Sequence, residues 1–320
     1  MALLEVRHLR VEFPTRWTTL VALDDVSLDI AAGEVLGVVG ESGAGKSMTG
    51  SAVLRLLPSP GRIAAGEIRL DGRRIDDLSD GAMRKVRGRQ IGAIFQDPLT
   101  SLNPLFTIGD QIEETILTHL DVGPAEAKRR AVELLREVGI PAPEQRIAAY
   151  PHQLSGGMRQ RVVIALALCA APKLIIADEP TTALDVSIQA QIIAVLKQTC
   201  RQHGTAVMLI THDMGVIAEA ADRVAVMYAG RVVEIGPVAE VIRRPRHPYT
   251  RGLMAAIPRL RAERQRMSQI PGSMPSLAAI PPGCAFNPRC GSAIEACRRT
   301  VPSLCGTDHQ AACLLVDEAA

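Results

Sequence analysis

Short apolar runs separated by glycine-rich and polar segments predict strands followed by loops and helices in this chain. Leu36–Val39 is a compact apolar run typical of a buried strand, and a segment with helical apolar periodicity continues through Leu57. Leu174–Ala177 is a second run of this kind. A long apolar-faced helix is predicted after Ser155, and residues 124–140, "PAEAKRRAVELLREVGI", read as an amphipathic helix.

Composition and charge exclude several classes of protein. At 320 residues the chain can bury a large core, which must be mostly aliphatic because only 2% of the residues are aromatic. A net charge of +2 does not indicate a nucleic-acid partner. The longest apolar run, "VVIALALCAAP", is too short to span a bilayer, and the charged N-terminus does not resemble a signal peptide. We therefore expect a soluble, cytosolic chain, in which structural disulfides are disfavoured.

The segment between the first strand and its helix matches the phosphate-binding motif G-x-x-x-x-G-K-[ST]. Its residues are Gly40, Glu41, Ser42, Gly43, Ala44, Gly45, Lys46 and Ser47. Glycines let several backbone N–H groups point at phosphate oxygens, and the helix start adds partial positive charge. We expect Lys46 to reach the β- and γ-phosphates and Ser47 to ligate Mg²⁺. The motif alone leaves a kinase, GTPase, helicase or transporter motor open.

Two further segments indicate the rest of a nucleotide site. Asp178 ends the second strand and is placed to hold the Mg²⁺ shell, as a Walker-B aspartate does. Glu179 follows it and could orient the water that attacks the γ-phosphate. Ser155 is a good helix N-cap, and Gly156 and Gly157 would let a phosphate approach that helix. Since one phosphate loop accounts for one nucleotide, this second helix start is expected to serve a nucleotide on another subunit.

Six motifs in order resemble those of ABC-transporter ATPase subunits. They are Walker A "GESGAGKS", Gln96 of the Q-loop in "AIFQDP", the signature "LSGGMRQR", Walker B "LIIADEP", the D-loop "TALD" and the switch "ITHD". The resemblance covers residues 1–238. It implies an α/β P-loop NTPase fold, with a RecA-like core, an antiparallel β subdomain and a helical subdomain at about 98–157. Residues 239–320 would form a small cysteine-containing extension.

The resemblance also implies two ATPase domains paired head to tail, with each ATP between Walker A of one and the signature of the other. The residues implied in ATP binding are Gly40–Ser47, Met48 and Trp17, and those facing the partner's ATP are Ser155, Gly156, Gly157 and Gln160. Trp17 would stack on adenine, with Phe13 as the alternative.

The resemblance assigns catalytic roles to Glu179, His212 and Gln96. His212 would contact the γ-phosphate, and Gln96 would sense it and couple it to the helical subdomain. Asp185 of the D-loop would link the two sites across the dimer. The implied Mg²⁺ ligands are Ser47, Gln96 and Asp178.

Three segments resemble oligopeptide, dipeptide and nickel importers: "HPYTRGLMAAIP" (His247–Pro258), "GCAFNPRC" and "FQDPLTSLNP". Met48 and "DPLTSLNP" favour the D-type of their two ATPase subunits. The implied partners are an F-type ATPase, two integral-membrane permeases and an extracytoplasmic solute-binding protein, with no nucleic acid. The location would be peripheral, on the cytoplasmic face of the bacterial inner membrane.

The cargo is not encoded in this chain. Di- or oligopeptides are expected, with nickel or another small solute as the alternative. A soluble ABC ATPase of translation or DNA repair is disfavoured, because the chain has one ATPase domain and no sustained heptads.

Five of the seven cysteines lie in the last forty residues, beyond a charged and then Pro- and Ser-rich stretch (259–283) that reads as a linker. The C-x₂₋₄-C pairs of zinc ribbons are absent. Four thiolates from a loop-rich segment can hold a [4Fe–4S] cluster, and in the resembled importers this extension carries one in some members. The expected ligands are Cys284, Cys290, Cys297 and Cys313. Cys305 could replace Cys313, and zinc-bound or free thiols are the alternative.

Overall fold

The structure is a computed structural model that describes residues 2–181, 185–256 and 269–316. Its strands are β1 (Ala2–Pro14), β2 (Thr19–Ala31), β3 (Val35–Val39), β4 (Arg62–Leu70), β5 (Arg73–Arg74), β6 (Ile91–Ile94), β7 (Leu174–Asp178), β8 (Ala206–Ile210), β9 (Arg223–Tyr228), β10 (Arg231–Pro237) and β11 (Gln310–Ala311). Its helices are α1 (Lys46–Val53), α2 (Asp80–Val86), α3 (Pro98–Ser101), α4 (Ile108–His119), α5 (Pro124–Glu137), α6 (Pro143–Arg146), α7 (Gly156–Leu168), α8 (Val186–His203), α9 (Met214–Ala220), α10 (Val238–Arg243) and α11 (Pro248–Ala255). Short 3₁₀ turns occur at Pro151–Gln153, Asn287–Arg289 and Glu295–Arg298.

The chain forms two compact units. The first comprises Met1–Leu4, Asp29–Val35 and Arg69–Ile210, and the second comprises Glu5–Leu28, Leu36–Ile68 and Thr211–Ala320. Each unit therefore collects segments that are distant in the sequence.

Parallel strands form the centre of the first unit. Strand β7 pairs with β6 on one side and with β8 on the other, with Ala177 opposite both Ile94 and Leu209. Residues Leu174–Ala177 are buried, as expected for a strand covered on both faces. Because the strands run in the same direction, their carboxyl ends lie at one edge of the unit, where open α/β sheets bind ligands.

Helices α4, α5 and α7 pack on one another within the first unit. The buried residues of α5 recur at helical spacing (Ala127, Ala131, Leu134 and Leu135), so the helix buries one stripe. Its other face carries Glu126, whose carboxylate accepts hydrogen bonds from Arg129 and Arg130. Helices α3 to α6 lie inside the span predicted for the helical subdomain, and α7 begins at its end.

The second unit contains both parallel and antiparallel pairs. Strand β3 is wholly buried and runs parallel to β9, with Val38 opposite Ala225. Strand β9 pairs antiparallel with β10, and β10 pairs antiparallel with β11 near the C-terminus. The C-terminal segment thus adds a short strand to the sheet that carries the phosphate loop. Among the described helices of the chain, none combines the length and the apolar character needed to cross a bilayer.

Most of the C-terminal segment has no regular secondary structure. Residues 269–283 of the predicted linker are described, whereas 259–268 lie outside the described residues. Phe286 is buried, and its ring lies 5.2 Å from that of Tyr228 and 5.4 Å from that of Tyr249 between centroids. Packing against these aromatic rings attaches the segment to the second unit.

Candidate nucleotide-binding site

The phosphate loop of the second unit joins the buried strand β3 to helix α1. Its backbone adopts positive φ at Gly40, Gly43 and Gly45. A Cβ at Gly40 would lie 2.3 Å from the carbonyl oxygen of Met227, so only glycine fits there. The loop therefore turns sharply against β9. A turn of this kind lets several backbone N–H groups point at one phosphate.

Lys46 is the first residue of α1 and is 6% exposed. Its Nζ donates to the carbonyl oxygens of Gly40 and Glu41, at 2.9 and 3.1 Å. The ammonium group is thus held within the curve of the loop. Ser47 and Met48 follow on the first turn of α1, where the helix dipole favours an anion.

Trp17 lies between β1 and β2 and is 93% exposed. Its backbone N–H donates to Thr15 Oγ1, so its turn is ordered while the indole faces solvent. Phe13, the alternative adenine contact, has a ring atom 2.7 Å from the place where a Cβ of Gly61 would be. Phe13 is therefore packed against the chain at Gly61, and Trp17 offers the freer aromatic face.

His212 lies in the second unit, directly after a residue attached to β3. The N–H of Thr211 donates to the carbonyl oxygen of Val38 at 3.1 Å. Asp213 Oδ1 accepts from the N–H groups of Gly215 and Val216 and so caps α9. His212 is exposed between these two fixed residues.

Gln96 and Glu179 meet at the carboxyl ends of β6 and β7 in the first unit. Gln96 Nε2 donates to Glu179 Oε2 at 2.9 Å. The N–H of Glu179 donates to the carbonyl oxygen of Ile210, which fixes the backbone just beyond Asp178. Glu179 has a φ of 47°, a left-handed conformation that costs a non-glycine residue on the order of 1–3 kcal/mol.

The signature segment caps α7 in the first unit. Ser155 Oγ accepts from the N–H of Met158, and Gly156 and Gly157 form the first turn. Gln160 is 1% exposed, and its Nε2 has no hydrogen-bond partner among the described residues. Asp185 is the exposed N-cap residue of α8, whereas Thr182–Leu184 of the predicted D-loop lie outside the described residues.

Four of the C-terminal cysteines line one small cavity in the second unit: Cys284, Cys290, Cys297 and Cys313. Burial raises the pKa of the Cys284 thiol, and the neighbouring thiols of Cys297, Cys313 and Cys290 raise it further. The Sγ of Cys305 instead lies 3.6 Å from the carbonyl oxygen of Ser303. None of the seven cysteines is in a disulfide. No three His, Cys, Asp or Glu side chains of the described chain are grouped so that they could hold a single metal ion.

Comparisons with known proteins identify the family of this chain. The model of the ABC transporter family matches residues 23–182, and that of the oligopeptide/dipeptide transporter C-terminal region matches residues 233–297. The chain belongs to the ABC transporter family. Its enzymatic class is that of an ABC ATPase with an ATP-binding cassette.

Relatives support this assignment along nearly the whole cassette and extension. An ATP-binding protein of Brucella melitensis is 48% identical over 99% of this chain and 98% of its own. The oligopeptide transport ATP-binding protein AppD of Bacillus subtilis is 48% identical over 94% of this chain and 92% of its own.

A solved structure shares the fold of the cassette. The dimeric ATP-binding cassette MJ0796, bound to ADP and Pi, has a TM-score of 0.65 and 30% identity. It covers 73% of this chain and 98% of its own. Predictions of an ABC ATPase and of its P-loop fold class are thus confirmed, whereas the roles of single residues stay predictions.

Sequence reasoning assigned no role to Arg289, which contacts the phosphate loop. It lies between Cys284 and Cys290 in the quoted segment "GCAFNPRC", and its guanidinium group pairs with Glu41. No spacing rule connects residues that are 248 positions apart. The one available signal was an arginine enclosed by an aromatic residue and cysteines.

Proposed function

We propose that this chain is the ATP-hydrolysing subunit of an importer of di- or oligopeptides. The match of residues 233–297 to the oligopeptide/dipeptide transporter C-terminal region carries this proposal, because it follows the cassette in the same chain. The name of the Bacillus subtilis relative, an oligopeptide transport protein, supports the same cargo. Nickel or another small solute is the alternative that an uptake assay distinguishes.

In this proposal the ATP phosphates lie in the curve of Gly40–Ser47. Lys46 Nζ leaves the loop carbonyls to contact the β- and γ-phosphates, and the backbone N–H groups around it complete the cradle. The residues proposed to hold Mg²⁺ are Ser47, Asp178 and Gln96. A bound Mg²⁺ neutralises charge on the phosphate oxygens during transfer. Trp17 stacks on adenine through its exposed face.

Hydrolysis depends on the carboxylate of Glu179, which orients the attacking water and accepts its proton. The hydrogen bond from Gln96 to Glu179 supports this role, because it links the residue that senses the γ-phosphate to the base. His212 contacts the γ-phosphate from the end of the switch segment. The helix start at Ser155, Gly156, Gly157 and Gln160 serves the ATP of a partner cassette, with Asp185 linking the two sites.

The partners in this proposal are a second ATPase of the F-type, two integral-membrane permeases and an extracytoplasmic solute-binding protein. The dimeric state of the MJ0796 cassette supports the pairing of two cassettes. The chain itself is attached peripherally to the cytoplasmic face of the inner membrane through the permeases.

Reconstitution of the whole transporter tests this function. The chain, its F-type partner and the permeases are placed in proteoliposomes with the binding protein, and uptake of labelled peptides and of ⁶³Ni²⁺ is measured with ATP hydrolysis. We expect peptide-stimulated hydrolysis and uptake, both lost with Lys46→Ala. Uptake of nickel without peptide would replace the cargo, and a complex without ATP-dependent uptake of any solute would contradict the function.

The four thiols of the C-terminal cavity fit a [4Fe–4S] cluster as its protein ligands. They converge on one cavity and influence one another electrostatically. Four cysteine thiolates are the usual protein ligands of a [4Fe–4S] cluster. When bound, a cluster supplies four thiolate–iron bonds that cross-link a segment with little apolar core.

Anaerobic purification tests this part of the proposal. We expect about four irons and four acid-labile sulfides per chain, the stoichiometry of a [4Fe–4S] cluster. Folded protein that contains zinc, or no metal, would contradict the cluster and support the alternative of zinc-bound or free thiols.

A further inference from the structure

We propose that Arg289, in the cysteine-rich segment, is a positioning residue of the phosphate loop, acting on the loop through Glu41. This inference rests on the proposed role of the loop in binding the ATP phosphates. It assigns the C-terminal segment a part in positioning the phosphate loop of the same unit.

Arg289 and Glu41 form a bidentate ion pair. Nη1 donates to Glu41 Oε2 at 2.6 Å, and Nη2 donates to Oε1 at 2.9 Å. The side chain of Arg289 is 6% exposed and that of Glu41 is 32% exposed. Hydrogen bonds of this paired kind fix orientation as well as distance, which a lysine ammonium cannot do.

The guanidinium group is itself held in place by the second unit. Its Nε donates to the carbonyl oxygen of Pro271 at 2.8 Å, and Nη1 lies 3.4 Å from the Tyr228 hydroxyl. Its central carbon lies 5.8 Å from the centroid of the Tyr228 ring and 6.0 Å from that of Phe286. With these contacts, Arg289 is a rigid point from which to position Glu41.

A second contact fixes the backbone of the same loop residue. The N–H of Glu41 donates to the hydroxyl of Tyr249 at 2.8 Å, and the ring of Tyr249 is fully buried. The carbonyl oxygen of Glu41 accepts from Lys46 Nζ. Arg289 and Tyr249 therefore hold the side chain and the backbone of a residue that contacts the phosphate-binding lysine.

The C-terminal segment also approaches the middle of the phosphate loop, at Gly43. A Cβ at Gly43 would lie 3.8 Å from Cγ of Met274. Residues before and within the cysteine-rich segment thus reach two positions of the phosphate loop.

The ion pair also changes the charge next to the proposed phosphate site. Glu41 places a carboxylate on a loop whose ligand carries several negative charges, and such charges repel each other at short range. The paired guanidinium compensates the charge of that carboxylate. The electrostatic repulsion between Glu41 and the phosphate oxygens is therefore weaker. Loss of Arg289 would free the Glu41 side chain and leave its charge uncompensated beside the phosphates.

Equilibrium binding of Mg·ATP to the full-length chain tests the inference. Arg289→Ala is expected to weaken ATP binding about tenfold, which corresponds to the lower range for a hydrogen bond to a charged group. Arg289→Lys keeps the charge but not the planar guanidinium group. Its ATP affinity should fall between those of the parent chain and Arg289→Ala. In the double variant Glu41→Gln/Arg289→Ala, the repelling charge is gone, and most of the lost affinity should return.

Arg299→Ala is the matched control, because Arg299 pairs with Glu295 on the exposed face of the same segment. It should bind ATP like the parent chain, and thermal unfolding of every variant checks that it is folded. A general structural role for Arg289 predicts that the double variant binds no better than the single one, and that result would overturn the inference. Parent-like binding by Arg289→Ala or Arg289→Lys would overturn it as well. Failure of the parent chain to bind ATP would instead contradict the proposed function.

Discussion

The phosphate loop and the cysteine-lined cavity lie in the same unit but are built in opposite ways. Eight consecutive residues make the loop, and its binding groups are backbone N–H groups and one lysine. The cavity takes its thiols from Cys284 to Cys313, across two 3₁₀ turns and irregular chain. The loop is a local conformation, whereas the cavity exists only if the surrounding segment is folded. Substitutions should therefore change nucleotide binding at the phosphate loop, and stability or metal content at the cavity.

The largest expected effect comes from Glu179, the proposed catalytic base in the first unit. Glu179→Gln removes the proposed base while keeping an oxygen that Gln96 can contact. We expect the rate of ATP hydrolysis by the assembled transporter to fall by about 10²–10⁴-fold, the usual contribution of a general base. ATP binding should remain, because the proposed phosphate contacts are made by Gly40–Ser47 and not by Glu179.

Glu133→Gln is the control for this variant, since Glu133 lies on α5 and pairs with Arg129 at the surface. Its hydrolysis rate should equal that of the parent. If Glu179→Gln turns over ATP at near the parent rate, Glu179 is not the base.

Lys46→Ala should act on binding rather than on the chemical step. It removes the charged donor within the phosphate loop, and hydrogen bonds to charged groups contribute about 1.5–3 kcal/mol. We expect ATP affinity to fall by about one to two orders of magnitude, measured by calorimetry on the full chain. The exposed Lys128 on α5 provides the control Lys128→Ala. Unchanged affinity in Lys46→Ala would mean that the phosphates bind elsewhere.

Changes in the cysteine segment should follow the other pattern. Cys297→Ser is expected to lose the iron of the anaerobically purified chain and to lower its melting temperature. Cys305→Ser should keep both, because Cys305 contacts Ser303 and pairs with Ala311 away from the other thiols. Iron lost in Cys305→Ser but kept in Cys313→Ser would instead make Cys305 the fourth ligand.

The same contrast explains what could be predicted from the sequence. The strands before Gly40 and before Glu179 were visible, because a buried parallel strand needs an unbroken apolar run. The positive φ of Gly40 was implied by the motif, whose glycines have a conformational reason. Periodicity also indicated α5, since its buried alanines and leucines recur on one face.

Contacts made by tertiary folding could not be predicted in this way. Arg289 reaches Glu41 only because β11 and the ring of Phe286 attach the C-terminal segment to the second unit. The hydrogen bond between Gln96 and Glu179 likewise depends on the pairing of β6 with β7. The sequence around one residue of such a pair does not identify the other residue. Motif spacing therefore predicted candidate residues but not their contacts.

The smallest expected effect concerns the adenine contact. Trp17 is the single tryptophan of the chain and is 93% exposed, so its fluorescence reports on this position alone. Stacking on adenine would remove water from the indole and quench its emission when ATP is added. Base–aromatic stacking contributes about 1–3 kcal/mol, so Trp17→Ala should weaken ATP binding by about fivefold to a hundredfold. Trp17→Phe keeps an aromatic face and should lose less affinity. Unchanged emission on saturation with ATP, with parent-like affinity in Trp17→Ala and a loss in Phe13→Ala, would move the stacking role to Phe13.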